Sequence, residues 1–141
     1  MPVSTDILAP VVALLCWSSV MWLWMYATRI PAIQKAGIQL DPQRPSGQQM
    51  AELPASVRWK ADNYNHLMEQ PTMFYAAAIA LALLGEGSGL NLTLAWAYVG
   101  LRVVHSLHQS LWNKIELRFA IFSLASLVLI ALVVRAALTV W

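Results

Sequence analysis

Arg58, Asp62, Asn65, His66 and Glu69 fall within one stretch, RWKADNYNHLMEQPTMFY, at the i, i+4, i+7 rhythm of a single helical stripe. Carboxylates, an amide and an imidazole on one face can hold an ammonium group, take up a proton or pair with a guanidinium. A plainer reading is a helical turn whose charges are solvated, and it suits Arg58 and Lys60 best. It suits Glu69 least, because apolar sequence begins within a few residues and runs to Leu84. A second stripe joins Tyr98, Arg102, His105, Gln109 and Trp112, spaced 4, 3, 4 and 3 residues apart in an otherwise apolar run. An arginine at mid-span costs roughly 2.5 to 3.5 kcal/mol on insertion scales, so Arg102 should have an acidic partner, Glu69 or Asp62, or face a polar cavity. His105 reads either as an interhelical hydrogen-bonding group or as a ligand contact. Arg118 opens the last apolar run, where it either snorkels to lipid phosphate or offers its charge to a ligand.

The elements that must position these groups are membrane helices. Of 141 residues, 59% are hydrophobic and 11% charged, whereas soluble domains carry about 25% charge. Four apolar stretches, Ile7 to Ile30, Leu67 to Leu84, Leu90 to Leu111 and Ile115 to Trp141, approach or exceed the span of about 20 residues that a bilayer core requires. The expected fold is therefore all-α, an integral membrane four-helix bundle occupying residues 1–141 as one domain. The first stretch lacks a basic leader and carries Asp6, so it reads as a retained span and not a signal peptide. A net charge of +2 gives no footprint for a nucleic-acid partner. The lone Cys16 reads as a small packing residue, and there is no paired-cysteine metal spacing, Gly-rich phosphate loop or nucleophile elbow.

Trp17, Trp22, Trp24 and Tyr26 suit interface anchoring in the first span, which should end at Arg29-Ile30-Pro31. The following connector is rich in Pro, Gly and Gln, without sustained periodicity, and reads as a loop. Ser56 suits the N-cap of the second helix, and Pro71 should kink it where the polar stripe meets the apolar run. Gly85 to Asn91 reads as a turn, Asn113-Lys114 as a tight junction, and Arg135 as a snorkelling residue. Lys and Arg gather in the first and third connectors, while the second holds Glu86 and neither. By the positive-inside rule the first and third connectors face the cytoplasm and both termini the other side.

Taken together, NYNHLMEQPTMFY and LRVVHSLHQSLWNKIELRFAIF, set in four short spans, resemble the MAPEG family, membrane-associated proteins in eicosanoid and glutathione metabolism. The resemblance covers essentially the whole chain and points to a short bacterial branch, hence to a bacterial inner membrane. It implies a homotrimer whose clefts between subunits hold glutathione near the cytoplasmic face. Arg118 falls on the family's thiol-activating arginine, Glu69 on a glutathione-contacting glutamate, and Arg102 and His105 on the family's helix-three pair. Asp62, Asn65, His66 and Gln109 complete the implied glutathione site. Asp62 and His66 stand where the family has Arg and Asn, although Asn63 and Asn65 could serve if the helix is offset. Gln109 replaces a tyrosine.

Two functions follow from that resemblance. One is a glutathione-dependent transferase or peroxidase acting on a lipophilic small molecule that arrives from the membrane lipids. The other is a non-catalytic lipid-binding or scaffold protein of the same fold, which the missing tyrosine and the aspartate favour.

Overall fold

The computed structural model describes residues 2–141, and all regular secondary structure among them is helical. The order is α1 (Leu8–Ala36), α2 (Ser46–Met50), α3 (Ala55–Glu69), α4 (Pro71–Leu83), α5 (Gly89–Leu111) and α6 (Ile115–Val140). Of these, α1 and α6 are long and apolar enough to cross a membrane unaided. The helical stretch before the α4–α5 turn is divided at Gln70, and α5 carries the polar stripe.

In α1, Val11, Leu14, Ser18, Met21 and Met25 form the inward face at alternating three- and four-residue spacing. Val12, Leu15, Leu23 and Cys16 lie on the exposed side, so Cys16 is not an interior packing residue. The helix continues through Pro31, past the expected end, and stops at Gly37, whose φ of 64° suits a residue without a Cβ. The Gly37 and Ile38 amides then donate to the Gln34 and Ile33 carbonyls, closing the helix end.

The first connector is not the featureless loop its composition implies. Buried Gln49, on the short α2, donates from Nε2 to the Asp41 and Arg44 carbonyls and accepts from the Asp41 amide through Oε1. One side chain thereby supplies the backbone pairing that periodicity would otherwise signal. The following helix is capped by Pro54 and not Ser56, with the Val57 and Arg58 amides donating to the Pro54 carbonyl.

Pro71 produces the expected interruption: α3 and α4 are separate helices joined at Gln70. Gln70 donates to Ser126 Oγ at 2.8 Å and accepts from the Tyr98 hydroxyl at 3.2 Å. The junction is thus tied to both α5 and α6. Directly above it, Phe74 stacks on Tyr98 with centroids 4.6 Å apart, a contact worth about 0.5 to 1.5 kcal/mol beyond its buried area.

Helix α5 packs most extensively on α6 and also contacts α1 and α3. Leu14, Met21, Leu67, Phe74, Leu81, Tyr98 and Leu132 are fully buried in the shared core. The outside is apolar as well, with Leu83, Phe119, Leu127 and Leu138 exposed, the distribution a lipid-facing protein requires. Arg135 is tied to a neighbouring helix. Its Nε donates to Asn91 Oδ1, whose amide nitrogen donates to the Glu86 carbonyl at 2.8 Å, closing the α4–α5 turn onto α6.

Candidate functional site

Helix α3 buries Lys60, Ala61, Asn63 and Leu67, which leaves Arg58, Asp62, Asn65 and Glu69 exposed and His66 half-buried at the boundary. The stripe is therefore not the packed face of the helix. Asp62 and Asn65 instead line an open cavity of about 510 Å³ between α1, α2 and α3. Arg29, Arg58, Tyr26 and Tyr64 share its wall. Its volume lies within the roughly 300 to 1,000 Å³ of small-molecule sites, and cationic, anionic and amide groups converge on it. Arg29 is not among the residues expected at a site because it sits where an ordinary helix-end charge belongs, and Arg58, although on the stripe, reads from the sequence as merely solvated.

The α5 stripe behaves differently. Tyr98, Arg102, His105 and Gln109 all turn inward, as their spacing requires, and all four are buried. Trp112 lies beyond the helix end, is 65% exposed, and stacks on His108. Arg102 has no accessible surface, yet the expected ion pair with Glu69 or Asp62 is not formed. Among the described residues the one ion pair is Arg44–Glu52, at the surface. The Arg102 guanidinium instead donates from Nη2 to the His66 carbonyl at 3.2 Å and lies 5.9 Å from the Phe122 ring centre. The rings of His66 and His105 are 5.8 Å apart, and Phe122 faces both.

Several buried polar atoms here have no protein partner. They include Arg102 Nε and Nη1, His105 Nδ1, Gln109 Oε1, and both amide atoms of Asn63, a residue with no exposure. Buried polar groups are nearly always paired, so this cluster has hydrogen-bonding capacity that the chain alone does not meet.

Arg118, half-buried in the first turn of α6, donates from Nη1 to Asn113 Oδ1 at 2.6 Å. The predicted residues thus separate into an accessible set, Asp62, Asn65, His66, Glu69 and Arg118, and an enclosed set, Arg102, His105 and Gln109. His66 joins them, its ring toward His105 and its carbonyl holding Arg102.

Lys60, expected to be solvated, is 8% exposed. Its ammonium lies 5.0 Å from the Trp24 ring centre and donates to the Ser56 carbonyl at 2.9 Å. Burial lowers its pKa.

The sequence model of the MAPEG family matches residues 7–138, and the chain belongs to that family of membrane proteins. No curated protein and no solved structure matches it. The family includes glutathione transferases and peroxidases as well as non-catalytic members.

Proposed function

We propose that this MAPEG chain is a glutathione-dependent transferase or peroxidase acting on lipophilic electrophiles. In this reading it is one four-span domain, assembled as a homotrimer in a bacterial inner membrane, with both termini away from the cytoplasm. The observation that carries the proposal is the mixed-charge cavity of Arg29, Arg58, Asp62 and Asn65; His66 and Glu69 follow on the same helix, outside its lining, and Arg118 stands at the head of α6. A small peptide with two carboxylates and one ammonium suits such a set: the arginines take the carboxylates, and Asp62 or Glu69 the ammonium. Asn65 and His66 offer amide-scale hydrogen bonds between them.

Glutathione, when bound, supplies a thiol whose unperturbed pKa is about 8.5. The Arg118 guanidinium favours the anionic sulfur without being consumed. Arg102, His105 and Gln109 are enclosed within the subunit, so their direct contact with a ligand requires the α3–α5 seam to open. Closed, Arg102 braces the turn of α3 that carries His66. The apolar partner enters from the bilayer, across the exposed hydrophobic faces of the helices.

The test is titration calorimetry of the detergent-solubilised protein with glutathione, followed by thiolate absorbance of the complex against pH. In the parent, the thiol should titrate below its solution value. Arg118→Ala should retain much of the affinity and lose that depression, and Arg118→Lys should recover part of it, since an ammonium lacks the planar fork. A bound thiol titrating at its solution value in the parent would overturn the enzymatic reading.

The alternative is a non-catalytic lipid-binding member. It is favoured by a small apolar groove of about 170 Å³ between α4 and α6, walled by Met73, Leu129, Ile130, Val133 and Val134. Under that reading, changes at Arg118 leave lipid binding untouched and no turnover exists to lose.

A further inference from the structure

We infer that Asn113 is a positioning residue for Arg118, anchoring its guanidinium without neutralising it so that the charge is presented to an anionic group. Asn113 is the only non-glycine residue with positive φ among the described residues, at 52°. Asparagine tolerates that left-handed conformation better than most residues, but glycine adopts it with less strain. An amide side chain at this position therefore invites a reason beyond the turn, and its Oδ1 supplies one by accepting from Arg118 Nη1 at 2.6 Å.

The platform beneath that contact is fixed from the α5 side. The amides of Trp112 and Asn113 both donate to the His108 carbonyl, at 3.0 and 2.8 Å, and the His108 ring Nε2 lies 3.2 Å from the Lys114 carbonyl oxygen. His108 thus grips the chain on both sides of Asn113. On the α6 side, the Arg118 amide donates to the Lys114 carbonyl at 2.9 Å. The guanidinium and its acceptor are held by opposite ends of one short loop.

The chemistry of the acceptor matters as much as its place. Arg118 has no carboxylate within ion-pairing distance among the described residues. A neutral amide oxygen fixes one of its five N–H donors and cancels none of the charge, and the remaining donors stay free for an anion. A carboxylate at the same spot would hold the side chain equally well and screen it. Anchoring of Arg118 stands on this geometry alone; the statement that the presented anion is a glutathione sulfur rests on the proposed function.

Two substitutions separate the side chain from the turn. Asn113→Gly keeps the left-handed backbone and removes the acceptor, whereas Asn113→Asp keeps an acceptor and adds a neutralising charge. The first readout needs no ligand: the rate at which phenylglyoxal modifies Arg118 in the detergent-solubilised protein, followed by peptide mass spectrometry. Modification should be several-fold faster in Asn113→Gly and slower than the parent in Asn113→Asp. Equal rates in all three proteins would overturn the inference. The second readout is thiolate absorbance with bound glutathione, where the thiolate fraction at neutral pH should fall in Asn113→Gly and fall further in Asn113→Asp. If the modification pattern holds but the parent shows no depressed thiol pKa, the anchoring stands and the glutathione reading fails. A lowered thiol pKa that is unchanged in both variants would leave the enzymatic reading intact and remove Asn113 from it.

Discussion

Arg102 reaches across the α3–α5 interface to His66 through one bond, from Nη2 to the main-chain oxygen at 3.2 Å, and among the described residues this is the only hydrogen bond its side chain makes. A carbonyl shares its dipole with a buried cation but brings no opposing charge. The guanidinium is therefore held in place more than it is compensated, unlike a residue in a buried ion pair.

That difference predicts how stability responds. Glu69→Gln should alter the detergent melting behaviour by no more than about 0.5 kcal/mol, the usual range for a surface change. Arg102→Met should melt no lower than the parent, because well-packed apolar replacement of buried charge is often neutral or stabilising. A loss of about 3 to 5 kcal/mol for either, as when a buried pair is broken from one side, would place a carboxylate against Arg102 after all.

Asn63 offers a cleaner case, since neither end of its amide is paired among the described residues. Leaving such a group unsatisfied costs about 1 to 3 kcal/mol, so Asn63→Leu should raise the thermal midpoint of the ligand-free protein. If the amide exists to hold a ligand, the same variant should bind glutathione more weakly in calorimetry. A variant that melts lower with unchanged binding would show the amide to be satisfied by structural water.

Lys60 links stability to pH. Burial places its folded pKa below the ordinary 10.5, so as pH falls through that range the unfolded chain takes up the proton first. The penalty is therefore absent well above 10.5, grows as pH descends toward the lowered folded value, and is fully present below it. Lys60→Met, similar in length and uncharged, should show its greatest relative stability at neutral pH, and the gap to the parent should close as pH approaches 10.5. A gap that stays constant in thermal melts across that range would mean that the Trp24 ring and the Ser56 carbonyl offset the burial fully.

The parts of this molecule that could be read from its residues are those with an apolar background. In α5, a polar residue every third or fourth position stands out against leucine and valine, and Tyr98, Arg102, His105 and Gln109 do share one buried face. Pro71 announced the α3–α4 division because its nitrogen has no hydrogen to donate to the helix ladder, although α1 runs on through Pro31 despite the same chemistry. Helix α3 is polar nearly all round, so periodicity could not say which side packs; its neighbours α1 and α5 decided it, with Lys60 and Asn63 buried and Asp62 and Glu69 left outside. The α2 turn depends on the reach of one glutamine side chain, which no pattern of hydrophobicity records. Arg102 was expected to find a carboxylate because charge was weighed and backbone was not. Arg135 reads as a snorkelling residue by its place near a helix end, and it bonds an asparagine on α5.

The separation between the open cavity and the enclosed α5 stripe has a consequence for how such a protein can diversify. Arg58, Asp62 and Asn65 touch the cavity from exposed positions and Arg29 from a half-buried one, so exchanging them changes what the cavity accepts while the Leu14–Phe74–Tyr98–Leu132 core keeps its packing. Substitutions at Arg102, His105 or Gln109 have no such freedom, since each alters a sealed layer that sets how α3 lies against α5. Ligand preference is thus free to drift at the rim while the interior stays under stability selection, and a library randomised at those four rim positions should yield far more folded members than one randomised along the stripe.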